Sequence, residues 1–205
     1  MTVSKPELKV TVFSDYICPF CYVADARLNR LRACFELKVN WCFLEIHPET
    51  SPQGEPVSSL SYPAETWKRT MATLRHMAEE ENLSFRDHDF TTNSRSALQL
   101  AEAAKTIDPA VFYRLHARLF EAFFSEGRNI GDRDCLRGLA LDAGMTEAQT
   151  GSAWKDEAVS KRLQHYLKAA QELRVQATPA FFIGQRRLDG AVPVDQLVEA
   201  AEAAL

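Results

Sequence analysis

The sequence of 205 residues has no large excess of charge of either sign. Its 28 aspartate and glutamate residues slightly outnumber its 24 lysine and arginine residues, which gives a formal net charge of −4. The basic residues form no cluster longer than a pair, and these pairs are Lys68-Arg69, Lys161-Arg162 and Arg186-Arg187. Because duplex nucleic acid and anionic membranes bind concentrated basic surfaces, neither is expected as the main partner.

Long apolar runs are also missing. No stretch approaches the roughly 18 apolar residues that a transmembrane helix needs, and residues 1–9 have no apolar core of the kind that a secretory leader carries. The sequence contains no glycine-rich phosphate loop, no nucleotide-binding fingerprint and no Gly-x-Ser-x-Gly motif. We therefore expect a cytoplasmic protein with reduced cysteines.

Cysteine is scarce and odd in number, with five residues in the chain. This density is far below that of a disulfide scaffold, and at least one thiol has no partner within the chain. Two cysteines stand close together, because only two residues separate Cys18 from Cys21. Cys34, Cys42 and Cys135 are individually more typical of small core residues than of functional thiols.

The hydrophobic pattern at the start of the chain follows the order strand, helix, strand. Residues 8–13 alternate as in a strand, and after Pro19 apolar residues recur at helical spacing. Arg27 is among the charged residues that fill the opposite face of this helix, which predicts that it is solvated. A second strand is predicted over residues 36–46, parallel to the first because a helix connects the two.

The middle of the chain is predicted to be helical. A loop rich in proline, serine and glycine precedes it, and residues 63–174 then carry at least five helical patterns and no convincing strand. The chain returns to β-structure at a hairpin around Gly184, and a last helix follows. We expect both β-containing ends to form one sheet, with the helices inserted between them.

The Cys18-Pro19-Phe20-Cys21 motif is predicted to lie where the first strand gives way to a helix. The first N–H groups of a helix have no intrahelical acceptor, and the helix dipole is positive at that end. A thiolate at Cys18 would be stabilised there, with its pKa lowered from the free value of about 8.5. Cys21, one turn further along, would resolve a mixed disulfide. The spacing thus favours a redox dithiol over two inert thiols.

A zinc site is the other alternative for the cysteines. Cys18, Cys21, Cys34 and Cys42 fall within 25 residues, as zinc ligands can. If the helix continues to Cys34, however, that residue lies about 20 Å along the axis from Cys21, which is too far to share a tetrahedral metal. The five histidines show no ligand spacing, and each is expected to be a surface or a satisfied core residue: His47, His76, His88, His116 and His165.

A second motif, Thr178-Pro179, stands directly before the strand predicted at residues 180–183. A Cys-x-x-Cys after the first strand, a helical block and a Thr-Pro before the later hairpin together resemble the thioredoxin fold. That resemblance implies that Pro179 is cis and faces the dithiol, and that the backbone at Thr178 pairs with an extended substrate. A plain trans turn at this position is the alternative.

The large helical block narrows the resemblance to the DsbA-like branch, and the chain looks most like the FrnE-type dithiol-disulfide oxidoreductases. The matching segments are residues 14–22, 40–44, 93–97 and 119–131. The resemblance implies an α/β thioredoxin fold with a large all-helical insertion. Residues 1–62 and 175–205 would form the thioredoxin-like domain, and residues 63–174 would form the inserted α-helical domain.

The departures from that family affect the expected chemistry. Phe20 stands where FrnE-type proteins usually have Trp and where DsbA has a His that stabilises the thiolate. A phenyl ring offers neither a donor nor a charge, so Cys18 should be less acidic than the value of about 3.5 in DsbA, and the couple less oxidising than about −120 mV. Val12 occupies the position of the buried carboxylate of thioredoxins. Asp15 is the nearest acid, and either assists proton transfer or is a solvated turn residue.

The resemblance implies thiol-disulfide exchange with protein or small-molecule disulfides, in which Pro19, Phe20 and the Thr178-Pro179 loop contact the substrate and no cofactor is bound. The same pattern also resembles 2-hydroxychromene-2-carboxylate isomerases and kappa-class glutathione transferases, which carry Ser at the first motif position. Glutathione would then be a cosubstrate near Asn93 and Arg95. A redox-sensing or chaperone-like binding module is the third alternative.

Overall fold

A computed structural model of the protein describes residues 5–86 and 89–205. No described helix has both the length and the apolar character required to cross a membrane. The elements in chain order are β1 (Glu7–Ser14), α1 (Pro19–Arg30), β2 (Glu36–Phe43), β3 (Glu55–Pro56), α2 (Ala64–Glu80), β4 (Phe90–Thr91), α3 (Arg95–Ala104), α4 (Pro109–Phe124), α5 (Arg133–Asp142), α6 (Glu147–Ala153), α7 (Glu157–Glu172), β5 (Ala180–Ile183), β6 (Arg186–Asp189) and α8 (Val194–Glu202).

The main sheet has four strands in the order β2-β1-β5-β6. β1 pairs in parallel with β2 and antiparallel with β5, and β5 pairs antiparallel with β6. The sheet therefore joins both ends of the chain, as the sequence predicts. β2 ends at Phe43, three residues before the predicted end, because the N–H of Ile46 leaves the sheet and donates to the side chain of Asp15.

Alternation along β1 explains how the sheet is covered. Leu8, Val10 and Val12 are almost completely buried in the main core, which they share with residues of α1 and α8. Phe13 points to the opposite face, where it packs with Ala170 of α7. Burial on both faces places the end of β1, and therefore the loop that follows it, in the middle of the molecule.

The predicted helical block is present as α2 to α7, and Thr146 forms a complete capping box with Gln149 at the start of α6. The prediction that this region has no strand is wrong in one detail, because β4 pairs antiparallel with β3 of the preceding loop. Two-residue strands are too short to produce an alternating pattern. One continuous buried cluster includes residues of the sheet and of the helical block, so the proposed domain boundaries stay a prediction.

Arg27 contradicts the prediction that the charged face of α1 is solvated, since it is only 3% exposed. Its guanidinium pairs with the carboxylates of Glu80 at 2.8 Å and Glu81 at 3.1 Å, both at the end of α2. It also donates to the carbonyl oxygen of Ala191 at 2.7 Å. Part of a helix face that looks solvated in the sequence is thus buried, because a helix distant in the sequence covers it.

The three isolated cysteines differ in their surroundings. Cys42 is buried, as expected for a core residue, and Cys135 is half-buried. Cys34 is exposed, so the prediction of a core position is wrong for this residue. It follows the short 3-10 helix Leu31–Ala33, and the neighbouring Phe35 occupies the place in the core instead.

Candidate active site

Cys18 stands immediately before α1, at the helix start that the sequence predicts. Its backbone is extended (φ −88°, ψ 112°), and Pro19 occupies the first helical turn, where its missing N–H leaves no helical bond unmade. The backbone N–H of Cys21 donates to the carbonyl of Cys18 at 3.0 Å. Both thiols are buried, with Cys18 5% and Cys21 2% exposed. The helix start therefore brings the two sulfurs together in a site of low polarity.

The two thiols differ in proton affinity. A hydrogen bond with the Cys21 side chain lowers the pKa of Cys18, and a hydrogen bond with the Thr178 side chain lowers it further, whereas burial and the charge of Asp15 act in the opposite direction. Burial raises the pKa of Cys21 well above its ordinary value, and the hydrogen bond to Cys18 adds to that rise. The first proton to leave the pair is therefore that of Cys18, while Cys21 stays a thiol.

The Thr178-Pro179 motif lies beside the dithiol. Its peptide bond is cis, as the resemblance implies, so the alternative of a trans turn is wrong. The Sγ of Cys18 lies 3.4 Å from the carbonyl oxygen of Thr178, to which it donates when it is a thiol. Pro179 is buried, and β5 begins directly after it. The start of β5 thus supplies one wall of the site.

Asp15 lies in the loop that leads to Cys18 and is fully buried, so the solvated alternative is wrong. Its carboxylate accepts hydrogen bonds from the N–H of Ile17 at 3.3 Å, the N–H of Ile46 at 2.9 Å and the hydroxyl of Ser94 at 2.9 Å. These donors lower its pKa, but burial has the larger effect and raises the pKa to about 7. Asp15 therefore gains or loses its proton near pH 7.

The buried Asp15 predicts a pH dependence of stability. The folded protein holds this proton up to a pKa of about 7, against an ordinary value of 3.8. The resulting stabilisation is fully present below pH 3.8 and is lost as the pH rises through 7. Between about pH 4 and pH 8, urea titrations should show the free energy of unfolding of Asp15→Asn rising relative to wild type by up to about 4 kcal/mol. A difference that stays constant with pH would contradict this.

Asn93 and Arg95 lie near the site, but they bind Glu45. The amide of Asn93 donates to one carboxylate oxygen of Glu45 at 2.8 Å, and Arg95 pairs with the other at 2.6 Å. Together with the bond from Ser94 to Asp15, these contacts fasten the start of α3 to the loops around the dithiol. Neither Asn93 nor Arg95 lines the pocket that opens at the dithiol.

A pocket of about 420 Å³ opens at Cys18. Pro19, Phe20 and Thr178 line it close to the dithiol. Its other walls come from distant parts of the chain, among them the 3-10 helix Val57–Leu60, α2 and the end of α4. The volume is within the range of small-molecule sites, roughly 300–1,000 Å³. The structure thus joins the predicted motif to a cavity that the motif alone does not reveal.

His47, Tyr62 and Trp67 line this pocket, although none of the three is a predicted site residue. Trp67 belongs to the apolar pattern of α2, and Tyr62 belongs to a segment with the composition of a loop, so neither pattern indicates a binding site. His47 was expected to be a surface or satisfied core residue, and its Nδ1 lies 3.5 Å from the Glu49 carboxylate. No local pattern could have identified them, because the pocket is formed by contacts between distant segments.

Among the other described histidines, His76, His116 and His165 do not line the pocket. His116 is buried, and its ring nitrogens lie 2.8 Å from the Tyr16 hydroxyl and 3.3 Å from the Asp25 carboxylate. This is the satisfied core histidine that the sequence predicts, whereas His88 lies outside the described residues. Within residues 5–86 and 89–205, no group of three or more His, Cys, Asp or Glu side chains could hold a metal ion.

Three solved structures share the fold at low sequence identity. The probable DsbA oxidoreductase SCO1869 from Streptomyces coelicolor has a TM-score of 0.84 and 22% identity over 96% of this chain and 89% of that chain. The cytosolic disulfide reductase DsbM from Pseudomonas aeruginosa with GSH has a TM-score of 0.70 and 20% identity, covering 97% and 100%. A 2-hydroxychromene-2-carboxylate isomerase has a TM-score of 0.72 and 17% identity, covering 95% and 93%.

Family membership follows from sequence matches that span nearly the whole chain. The chain is 31% identical over 192 residues to the uncharacterized protein YwbO of Bacillus subtilis (strain 168), with 91% of this chain and 92% of that protein covered. Residues 9–202 match the model of the DSBA-like thioredoxin domain. The α/β thioredoxin fold with inserted helices agrees with this match. The chain belongs to the DSBA-like thioredoxin domain family.

Proposed function

We propose that the protein catalyses thiol-disulfide exchange, with Cys18 as the nucleophile and Cys21 as the resolving thiol. The observation that carries this proposal is that Cys18, at the start of α1, lines the pocket beside Thr178, whereas Cys21 is buried and does not line it. The direction of the pKa shifts, lowered at Cys18 and raised at Cys21, agrees with these roles. An attacking thiol must be a thiolate, and a resolving thiol must remain protonated until the mixed disulfide has formed.

The reduction of a disulfide then proceeds in two exchanges. The Cys18 thiolate attacks one substrate sulfur, a mixed disulfide forms, and the other substrate sulfur leaves as a thiolate that takes up a proton. Cys21 loses its proton and attacks the Sγ of Cys18, which releases the second substrate thiolate. Two electrons have moved from the dithiol to the substrate, and Cys18 and Cys21 end as a disulfide. A partner thiol is needed to reduce them again.

Asp15 is a candidate for the proton transfer that the second exchange needs. Its carboxyl group is fully buried, has a pKa of about 7, and is close enough for its charge to raise the pKa of Cys18. A group that titrates near neutral pH accepts and returns a proton at similar cost. We therefore propose that Asp15 assists the deprotonation of Cys21.

The substrate side of the proposed site comprises Pro19, Phe20, Thr178 and Pro179. Three of them line the pocket, and the fourth, Pro179, is buried next to Thr178. Glutathione is a second candidate partner, because the similar DsbM structure contains GSH. A glutathione-dependent isomerase or transferase would need glutathione for its activity and would keep that activity without Cys21. A chaperone-like module would keep its client binding in a double Cys18→Ala, Cys21→Ala variant.

Trapping of the mixed disulfide tests the assigned roles. In Cys21→Ser the first exchange can occur and the second cannot, so incubation with bis(2-hydroxyethyl) disulfide should leave one mercaptoethanol adduct on Cys18. Intact-mass measurement and peptide mapping would locate it, and wild type treated in the same way should carry little adduct. An adduct mainly on Cys34, or none on Cys18, would contradict the assignment.

We also propose a reducing compartment such as the cytoplasm as the place of action. Cys34 is free and exposed, and Cys135 is free and half-buried. Exposed free thiols are poorly compatible with an oxidising compartment. Alkylation of intact cells tests this, because Cys34 should react as a free thiol, whereas complete oxidation at this position would contradict it.

A further inference from the structure

The pocket determines how a substrate can reach the nucleophile. Cys18 is only 5% exposed, and the surface that it does present lines the pocket. Its Sγ is also held against the carbonyl of Thr178 at 3.4 Å. A disulfide must therefore bring one sulfur into the pocket to be attacked, together with the group attached to that sulfur. A small molecule can do so more easily than the disulfide of a folded polypeptide.

The walls of the pocket are aromatic on two sides. Tyr62 and Trp67 stack with ring centroids 5.5 Å apart and an interplanar angle of 13°. Elsewhere in the lining, Phe85 and Phe124 stack at 5.7 Å and 14°. Tyr62 remains 48% exposed, and Trp67 is half-buried. Apolar rings left in contact with water next to a reactive thiol are typical of a surface that an apolar ligand covers.

The charge of the lining points to the same kind of ligand. Among the described residues that line the pocket, none is Asp, Glu, Lys or Arg, and the polar ones are chiefly threonines, with His47 and Gln176. Glutathione carries two carboxylates and an ammonium group, and placing these against apolar walls without partners is costly. An uncharged aromatic or aliphatic group has no such cost.

We propose that the pocket binds small disulfides that carry an uncharged apolar group, aromatic or large aliphatic, close to the sulfur that Cys18 attacks. This inference rests on the proposed function and names its substrate class. Cys18 bonds to the sulfur that bears the apolar group, the other substrate sulfur leaves as a thiolate, and Cys21 then displaces the apolar thiol. An external dithiol restores the reduced enzyme.

A matched pair of disulfides tests the proposal. Bis(2-hydroxyethyl) disulfide and 2-hydroxyethyl 2-phenylethyl disulfide differ only in a phenyl group that replaces a hydroxyl. Wild type is assayed with dithiothreitol as the recycling dithiol, and each kcat/KM is divided by the uncatalysed rate constant of the same disulfide. We expect a value at least about tenfold higher for the phenylethyl disulfide. Glutathione disulfide should give a value no higher than that of bis(2-hydroxyethyl) disulfide.

Two variants assign the preference to the pocket. Trp67→Ala removes one aromatic wall and should reduce the ratio between the phenylethyl and hydroxyethyl values at least about fivefold. Leu167→Ala truncates an exposed side chain on α7 that does not line the pocket, so the ratio should not change. An unchanged ratio in Trp67→Ala would overturn the proposal.

The other outcomes are equally decisive. Activity on all the disulfides without preference for the phenylethyl compound would overturn this inference and leave the proposed function intact, whereas inactivity on all of them would overturn the proposed function. A fourth probe, the mixed disulfide of mercaptoethanol with N-acetyl-cysteinyl-phenylalanine amide, separates small molecules from peptides. If it reacts faster than the phenylethyl disulfide, the assignment to small molecules is wrong.

Discussion

Replacing Cys18 by serine is expected to lower kcat/KM for disulfide reduction by at least about a thousandfold. A serine hydroxyl keeps its proton at neutral pH and cannot form the mixed disulfide on which both exchanges depend. The pKa of Cys18, in contrast, is lowered by its hydrogen bonds with the side chains of Cys21 and Thr178. The measurement is the steady-state reduction of bis(2-hydroxyethyl) disulfide with dithiothreitol as the recycling dithiol.

Cys34→Ser is the matched control, because it makes the same chemical change at an exposed thiol outside the pocket. It should retain the wild-type rate. If Cys18→Ser kept more than about a tenth of the activity, Cys18 would not be the nucleophile, and the proposed mechanism would be wrong. Circular dichroism of both variants would establish that the fold is unchanged.

Replacing Arg27 by methionine is expected to lower the free energy of unfolding by about 3–5 kcal/mol. The Arg27 guanidinium is buried and is the closest cation to the Glu81 carboxylate, whose side chain is only 6% exposed. Methionine fills part of the volume but leaves that carboxylate buried with little compensation. Loss of the bond to the Ala191 carbonyl adds to the cost. Urea titration of the variant and the wild type measures the difference.

Arg30→Met is the control for this experiment. Arg30 pairs with the same Glu81 carboxylate at 3.4 Å, but its own side chain is 60% exposed, so its loss should cost less than about 1 kcal/mol. Adding Glu81→Gln to Arg27→Met should recover a large part of the loss, because the uncompensated charge is gone. Equal effects of the two arginine substitutions would contradict the assigned role of Arg27.

The parts of the fold that local patterns determine could be predicted from the sequence. Alternation over residues 8–13 gives β1, and Pro19 after Cys18 gives the start of α1. The Cys-x-x-Cys spacing then places Cys18 immediately before that helix and Cys21 in its first turn. These features depend on neighbouring residues only, so one sequence contains the necessary information.

The surroundings of the dithiol could not be predicted in the same way. The burial of Asp15 depends on Ser94 and Ile46, and the burial of Arg27 depends on the end of α2. The pocket likewise needs the segment around Tyr62 to line the same cavity as Pro19 and Phe20 at the start of α1. Such contacts join residues tens of positions apart, and helical or strand periodicity contains no information about them.

The central claim is that Cys18 and Cys21 form a reversible redox couple, and its reduction potential tests this most directly. Phe20 provides no donor or charge to the Cys18 thiolate, so the reduced form is less stabilised than in a strong oxidase. Equilibration with glutathione and dithiothreitol buffers should show one two-electron transition, with a midpoint more negative than about −120 mV and towards the value of about −270 mV of thioredoxin. The absence of a Cys18–Cys21 disulfide at every buffer ratio would contradict the claim.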